Sequence, residues 1–370
     1  MSSIIRKIPK IAIIHDILLD SGGAERVLDC ILELYPRADL YTSLASPSHQ
    51  KKYKKHHRVF SMKPNLWRLG PQLSSVLKPF ILLYWKSLKL DGYDLIISSS
   101  HSFSSKSIQV NNTVPHVSYI HTPPKYLFAE FNEMNWIKKF PFKLIFLPLI
   151  ALLKLQDVKS AQKPTALIAN SHVVQHRIKR YYKRNSEVIY PPVLGKWKIK
   201  RNQSKDYFLF HSRLVHQKGL KLAVRTCNKL GEQLVIVGEG PELKRVKKIA
   251  KSNCLFLGKV PDLQLTSIYS KAKALIFCGI DEDFGLVMAE ALSAGVPILG
   301  FKTPATKEIV SNPQLGILFD DFSVRSLSLA IERFKKNQYS WQFCSNYAKK
   351  YSKEKFKANF AKLMLSYLPQ

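Results

Sequence analysis

At 370 residues, with 46% hydrophobic and 11% aromatic side chains, the chain exceeds what one ordinary core holds and is not a disordered tail. Its formal net charge is +32, and the basic excess is equal in the two halves, which excludes a single basic arm. Solvated lysine-rich faces, an anionic membrane surface and nucleic acid are the three readings of such a charge. The local clusters are HQKKYKKHHR (49–58), HRIKRYYKR (176–184) and KYSKEKFKANFAK (350–362).

The start, MSSIIRKIPKIAIIHD, has two apolar clusters broken by Arg6, Lys7 and Lys10, unlike the apolar core of a signal peptide. Its second cluster predicts a strand over 11–14, followed by the loop HDILLDSGG and an amphipathic helix over 24–34 with Val27, Leu28, Ile31 and Leu34 on one stripe. A further strand is expected over 38–42. YDLIISSSHSFS (93–104) and PHVSYIHTPPKYLF (115–128) read as strands whose C-terminal ends carry Ser100 and His121. If these strands are parallel, His15, Ser100 and His121 belong at one ligand-binding edge.

LIFLPLIALL (144–153) contains Pro148 and is flanked by lysines at 138, 139, 143 and 154. It is half the length of a bilayer span, so it predicts an interfacial segment or a core helix. TALIANSHVVQHRIKRYY predicts a strand over 166–169, an Asn170-Ser171 cap and a helix with Val173, Val174, Ile178 and Tyr182 inward. Pro191-Pro192 then marks a hinge.

The alternation restarts at YFLFHSRLVHQKGL, with a strand over 207–211, a basic loop and a helix. LVIVGEGPE and CLFLGKVPDLQL supply two more strands, and a helix is expected over 263–272. GIDEDFGLVMAEALSAGVPILGF (279–301) follows a strand at 274–278: an acidic turn, a helix opening at Phe284-Gly285, and PILGF as the expected last strand. The remainder from 324 to 368 reads as helix. Repeated strand-turn-helix units predict an α/β fold with parallel sheets covered on both faces. The five cysteines (Cys30, Cys227, Cys254, Cys278, Cys344) are odd in number and lack CxxC spacing, which predicts buried thiols in a reducing compartment without a zinc site.

Three loops of the second half carry complementary groups. Arg213 and Lys218 offer the two cations that hold a diphosphate, Gly285 offers backbone N–H groups at a helix start, and Glu282 and Glu290 offer acceptors for sugar hydroxyls. These motifs together resemble the donor domain of family 4 glycosyltransferases of the GT-B fold: HSRLVHQKGL, VGEGPE, FLGKVPDLQL and the E-x7-E of EDFGLVMAE stand in order and at the family's spacing. SGGAERV, YIHTPPKYLF and ALIANSHVVQHRIKRYY…VIYPPV resemble the N-terminal half of its mannosyltransferase branch of surface-polysaccharide and lipopolysaccharide assembly.

The resemblance implies two Rossmann-like domains facing across a cleft, 1–192 for the acceptor and 193–349 for the nucleotide-sugar donor, with a C-terminal helix at about 350–370 returning to the first. It implies that Arg213 and Lys218 hold the donor diphosphate, Glu290 the ribose, Glu282 the transferred sugar, with N–H groups of Phe284, Gly285 and Leu286 beside it. The Lys259-Val260 backbone would meet the base, Gly23 would approach the phosphates, and His121 would face the sugar. Retention of configuration without a metal is implied, with Asp281 to Asp283 read as the acidic turn carrying Glu282. One departure is Thr303-Pro304-Ala305-Thr306, where the family commonly has Gly-Gly. The expected reaction moves a hexose, mannose from GDP-mannose first, to a lipid-linked or polysaccharide acceptor at the inner face of the cytoplasmic membrane, with no nucleic-acid partner. The alternatives are a UDP-hexose donor on the same fold, or a non-catalytic protein binding nucleic acid or an anionic surface.

Overall fold

The structure, a computed structural model, describes residues 8–19, 22–62, 77–101, 104–111, 113–128, 142–193 and 206–368. The chain divides into two compact units, Met1–Pro192 with Phe356–Gln370, and Val193–Lys355.

The first unit holds a seven-stranded sheet of β1 (Ile11–Leu18), β2 (Asp39–Ala45), β3 (Val59–Phe60), β4 (Leu95–Ser100), β5 (His116–Ile120), β6 (Ala166–Ala169) and β7 (Glu187–Val188). The order is β3-β2-β1-β4-β5-β6-β7, and every pair is parallel. All six residues of β4 are buried, because helices cover both faces of such a sheet and remove the need for polar alternation. The first strand runs to Leu18 and not to 14, so His15 and Asp16 lie inside it; backbone pairing on both sides continues past the polar residues.

The second unit holds β8 (Tyr207–His211), β9 (Leu234–Val237), β10 (Cys254–Gly258), β11 (Ala272–Phe277), β12 (Ile298–Phe301) and β13 (Gly316–Phe319) in the parallel order β10-β9-β8-β11-β12-β13. PILGF is therefore not the last strand. β13 follows it, four residues long, and a side chain at its Gly316 would lie 1.9 Å from the Ile298 carbonyl oxygen, so only glycine lets β13 pair with β12 there. The β10 edge alternates between half-buried and exposed residues, with Leu255 and Leu257 outward.

Phe142–Ser160 forms one helix with Pro148 inside it. Leu149, Leu152 and Leu155 on it are exposed, as are Phe80 and Leu83 on the helix Lys78–Ser87, and both helices pack on the short turn Ser105–Ser107. Lys138 and Lys139, expected to flank this segment, lie outside the described residues, as does the side chain of Lys143. Among the described residues no helix is long and apolar enough to cross a membrane. The 324–368 region forms the helices Val324–Lys336, Trp341–Ala348 and Lys353–Leu365. Cysteines 30, 227, 278 and 344 are buried, Cys254 is half-buried, and all five are free thiols.

Candidate functional site

In the second unit β8 and β11 are neighbours, and the chain proceeds from β8 to β9 and β10 on one side and from β11 to β12 and β13 on the other. Loops leaving the two strands diverge, which opens a crevice of the kind where parallel sheets bind ligands. Lys218 comes from the loop after β8 and Glu282 from the loop after β11, and the Lys218 ammonium donates to Glu282 Oε1. Their side chains are 19% and 13% exposed, so the pair is largely withdrawn from water yet reachable.

Local backbone geometry brings the two loops together. Ile280 N–H donates to the Gln217 carbonyl at 3.1 Å. Gly219 has φ +71°, and a Cβ there would fall 2.5 Å from Cys278 Cβ and 2.7 Å from the Cys278 carbonyl oxygen. The residue after Lys218 must therefore be glycine, both for its left-handed backbone and for the closeness of β11. Gly285, at φ +83°, precedes the helix Leu286–Ser293, and no side chain caps that helix. Its first-turn N–H groups are the donors an anion or a hydroxyl would use.

The other expected donor-site residues are placed as follows. Arg213 is exposed beyond β8, and its guanidinium makes no hydrogen bond or ion pair with the described residues, so it is not joined to the Lys218–Glu282 pair. Its loop is stitched to that after β9 by Ser212 N–H to Val237 O (3.1 Å) and Leu214 N–H to Glu239 O (2.7 Å). Glu290 is 3% exposed, well inside the helix Leu286–Ser293, and Phe284 is buried edge-on against Tyr351. Leu286 and Val260 are half-buried, and Lys259 is exposed. Thr303 opens the helix Pro304–Ile309 with its hydroxyl accepting from Thr306 N–H, so the sequence that departs from the family's Gly-Gly forms a capped helix start.

The first unit has its own polar cluster, at the matching switch between β1 and β4. His15 pairs with Ser99 in the strand register, and the His15 Nδ1 and Ser99 Oγ atoms are 3.0 Å apart. Ser99 Oγ is also 2.8 Å from His121 Nε2, and His15 Nε2 is 3.7 Å from Glu25 Oε1, a charge contact longer than a hydrogen bond. Gly22 N–H donates to Glu25 Oε2 at 2.7 Å. Gly23 is exposed at the start of the helix Gly23–Leu34, in the same first turn as Glu25. Asp16 accepts from His101 N–H and Ser105 N–H, both at 2.7 Å, which anchors the loop after β4.

Burial opposes ionisation of Glu25, but the neighbouring His15 ring and the Gly22 N–H outweigh it and lower its pKa to about 2. Burial, then the charges of His101 and His15, lower His121 to about 3; burial, with Lys163 and Arg184, does the same to His116. All three shifts act in one direction. Between the lowered values and the ordinary ones, 4.5 for Glu25 and 6.5 for the histidines, the unfolded chain holds protons that the folded chain does not. Stability of the first unit should therefore rise with pH from about 3 to about 6.5. Urea unfolding at a series of pH values should show that slope, and His116→Gln should flatten it.

The structure selects Ser99 where the sequence pointed to Ser100, whose buried hydroxyl has no hydrogen-bond partner among the described residues. In the run Ser98-Ser99-Ser100 neighbouring side chains face opposite sides of the sheet, and only register shows which one meets His15. Glu25 was legible in principle, since an acidic residue three positions after a helix-capping glycine marks the first turn.

Comparison with known proteins agrees with this architecture. Residues 21–193 match the model of "Glycosyltransferase Family 4" and residues 195–352 that of "Glycosyl transferases group 1". The chain is similar to the O-antigen chain mannosyltransferase RfbU of Salmonella typhimurium, 23% identical over 54% of this chain and 59% of that protein. It is also similar to a GDP-mannose-dependent alpha-mannosyltransferase of Corynebacterium glutamicum, 28% identical over 30% of this chain and 27% of that one. The matches thus span less than two thirds of either relative's length. Among solved structures, Anabaena Alr3699/HepE in complex with UDP and glucose has a TM-score of 0.67 at 19% identity, over 97% of this chain and all of that one. The fold is GT-B, two Rossmann-like parallel sheets in one chain. The chain belongs to the family 4 glycosyltransferases.

Proposed function

We propose that this protein is a retaining hexosyltransferase that takes mannose from GDP-mannose and passes it to a lipid-linked or polysaccharide acceptor in surface-glycan synthesis. The observation that carries the reading is the Lys218–Glu282 pair at the switch point of β8 and β11, beside the uncapped helix start at Gly285. A diphosphate drawn to Lys218 would displace Glu282 from its ammonium, freeing the carboxylate to accept hydroxyls of the transferred sugar. Arg213 supplies a second cation with no acidic partner among the described residues, so the two offset the charge that grows on the leaving diphosphate without a metal. The backbone N–H groups of Phe284, Gly285 and Leu286 orient the donor. Glu290 takes the ribose, Lys259-Val260 meets the base, and Gly23 and His121 serve the phosphates and the sugar from the first unit. The mannosyl donor is supported by the two relatives, one a mannosyltransferase and the other a GDP-mannose-dependent mannosyltransferase.

The acceptor's lipid is supported by the exposed leucines of the helix Phe142–Ser160 and by exposed Lys154 among them, a surface suited to an anionic membrane at the cytoplasmic face.

The test is a transfer assay with GDP-mannose, UDP-hexoses and ADP-glucose side by side, on lipid-extract acceptors, with and without a chelator. GDP-mannose alone should turn over, chelator should leave the rate unchanged, and the protein should float with anionic but not neutral vesicles. Turnover only with UDP-hexose overturns the donor assignment. Absence of turnover with every nucleotide sugar, together with salt-sensitive nucleic-acid binding, overturns the class.

A further inference from the structure

Glu25, His15, Ser99 and His121 form a continuous line of polar groups in the first unit, all on or beside β1, β4 and β5. His15 is 2% exposed, Ser99 fully buried and His121 7% exposed, so no bulk water stands between them. The line ends at His121 Nδ1, which makes no hydrogen bond with the described residues. We propose that these four residues are a proton relay in which Ser99 couples the charge of His15 to the tautomer that His121 presents at Nδ1.

The coupling follows from donor and acceptor counting. Ser99 has one hydroxyl proton and stands between two ring nitrogens, so it donates to one and accepts from the other. With His15 neutral and its proton on Nε2 toward Glu25, His15 Nδ1 accepts from Ser99. Ser99 then accepts from His121 Nε2–H, and His121 Nδ1 is a bare lone pair. When a proton arrives at His121 Nδ1, the Nε2 proton passes to Ser99 Oγ and the Ser99 proton passes to His15 Nδ1. The charge ends on His15, beside the Glu25 carboxylate, and His121 is again neutral with its proton on Nδ1. One proton enters, two shift by one bond each, and no further reactant is needed.

This resolves a difficulty in the site. Burial lowers His121 to about 3, so its ring alone is a poor resting place for a proton. Glu25 is held ionised by the same His15 contact that would stabilise the transferred charge. Among the described residues the groups facing the two rings are Glu25 from the helix Gly23–Leu34, Asp16 of β1, His101 of the loop after β4, and Tyr119 of β5, whose ring centroid is 5.0 Å from that of His121. The Asp16 carboxylate is engaged by two N–H groups, and the Tyr119 hydroxyl donates to the Ile189 carbonyl at 2.8 Å, with burial raising its pKa. That leaves His15 as the member of the line placed to take up charge against a carboxylate. Glu25, His15 and Ser99 are positioning residues that act through His121, and the inference rests on His121 serving the site as proposed above.

The test reads the tautomer directly. Nitrogen-15 NMR of ring-labelled histidine in the whole protein, from about pH 5 to 9, should show His121 protonated at Nε2 when His15 is neutral and at Nδ1 when His15 is charged. In Ser99→Ala the His121 tautomer should cease to follow the charge of His15, and Ser99→Thr should restore the coupling. Glu25→Gln should move the change to lower pH. Kinetically, Ser99→Ala should remove the relay's step from the pH profile of kcat while leaving KM for the donor unchanged. A His121 tautomer that is constant across the range, or that still follows pH in Ser99→Ala, overturns the relay. The NMR result stands whether or not transfer is seen, so it is distinguishable from a failure of the glycosyltransferase reading.

Discussion

Lys218→Ala is expected to lower sugar transfer by about 10²- to 10³-fold, equivalent to roughly 3–4 kcal/mol, the usual cost of removing one preorganised group that stabilises developing charge. The size of the effect follows from the placement of Lys218. Its side chain is four-fifths removed from solvent, where a charge interaction is screened less than at the surface, and it stands on a loop fixed by Gly219 and by the Ile280–Gln217 hydrogen bond. The loss should fall on kcat more than on KM, because charge on a leaving diphosphate grows in the transition state. Steady-state transfer measured beside an unfolding curve separates this from damage to the fold. A rate within about tenfold of the parent protein, roughly 1.4 kcal/mol, would remove Lys218 from the proposed role. Arg213→Ala should cost less, since its exposed guanidinium is better solvated than Lys218.

Asp157→Ala is expected to destabilise the first unit by about 3–5 kcal/mol, because it leaves a buried cation without its partner. Asp157 accepts from Lys106 Nζ (2.5 Å), Ser104 Oγ (2.9 Å) and Tyr182 Oη (2.7 Å). The side chains of Lys106 and Asp157 are 1% and 2% exposed, so water cannot take over after the substitution. Hydrogen exchange in β4 and β5 reads the effect in this unit separately from the other. Lys106→Met combined with Asp157→Asn should recover most of the loss, since no uncompensated charge remains and the amide oxygen so introduced can still accept from Tyr182. A loss under about 1 kcal/mol in the single variant would show that the cluster is hydrated or rearranges.

Much of the architecture was legible because it depends on short-range patterns. Apolar runs such as LVIV and LIISSS, separated by helical stripes, predict buried parallel strands, and the Ser171 cap appears where the sequence places it, with its hydroxyl on Val174 N–H. Strand ends were less legible. His15 and Asp16 look like loop residues, but pairing with strands on both sides carries β1 past them. β13 was missed because four residues after a proline turn carry too little periodicity, and its existence depends on the approach of Gly316 to Ile298.

By itself the sequence determined the α/β class, the two successive sets of strand-helix units, and the chemical inventory of the site: two cations, two carboxylates, a glycine-led helix and a strand-end histidine. Those are properties of residue type and near spacing, which periodicity and turn chemistry make visible. Only the tertiary structure decided that Lys218 meets Glu282 across 64 positions of chain, that Arg213 stands apart, and that Ser99 and not Ser100 joins His15 to His121. The physical reason is sheet order and register. Which loops adjoin is set by hydrogen bonding between strands distant in sequence, and a shift of one residue in that pairing exchanges the two faces of every strand.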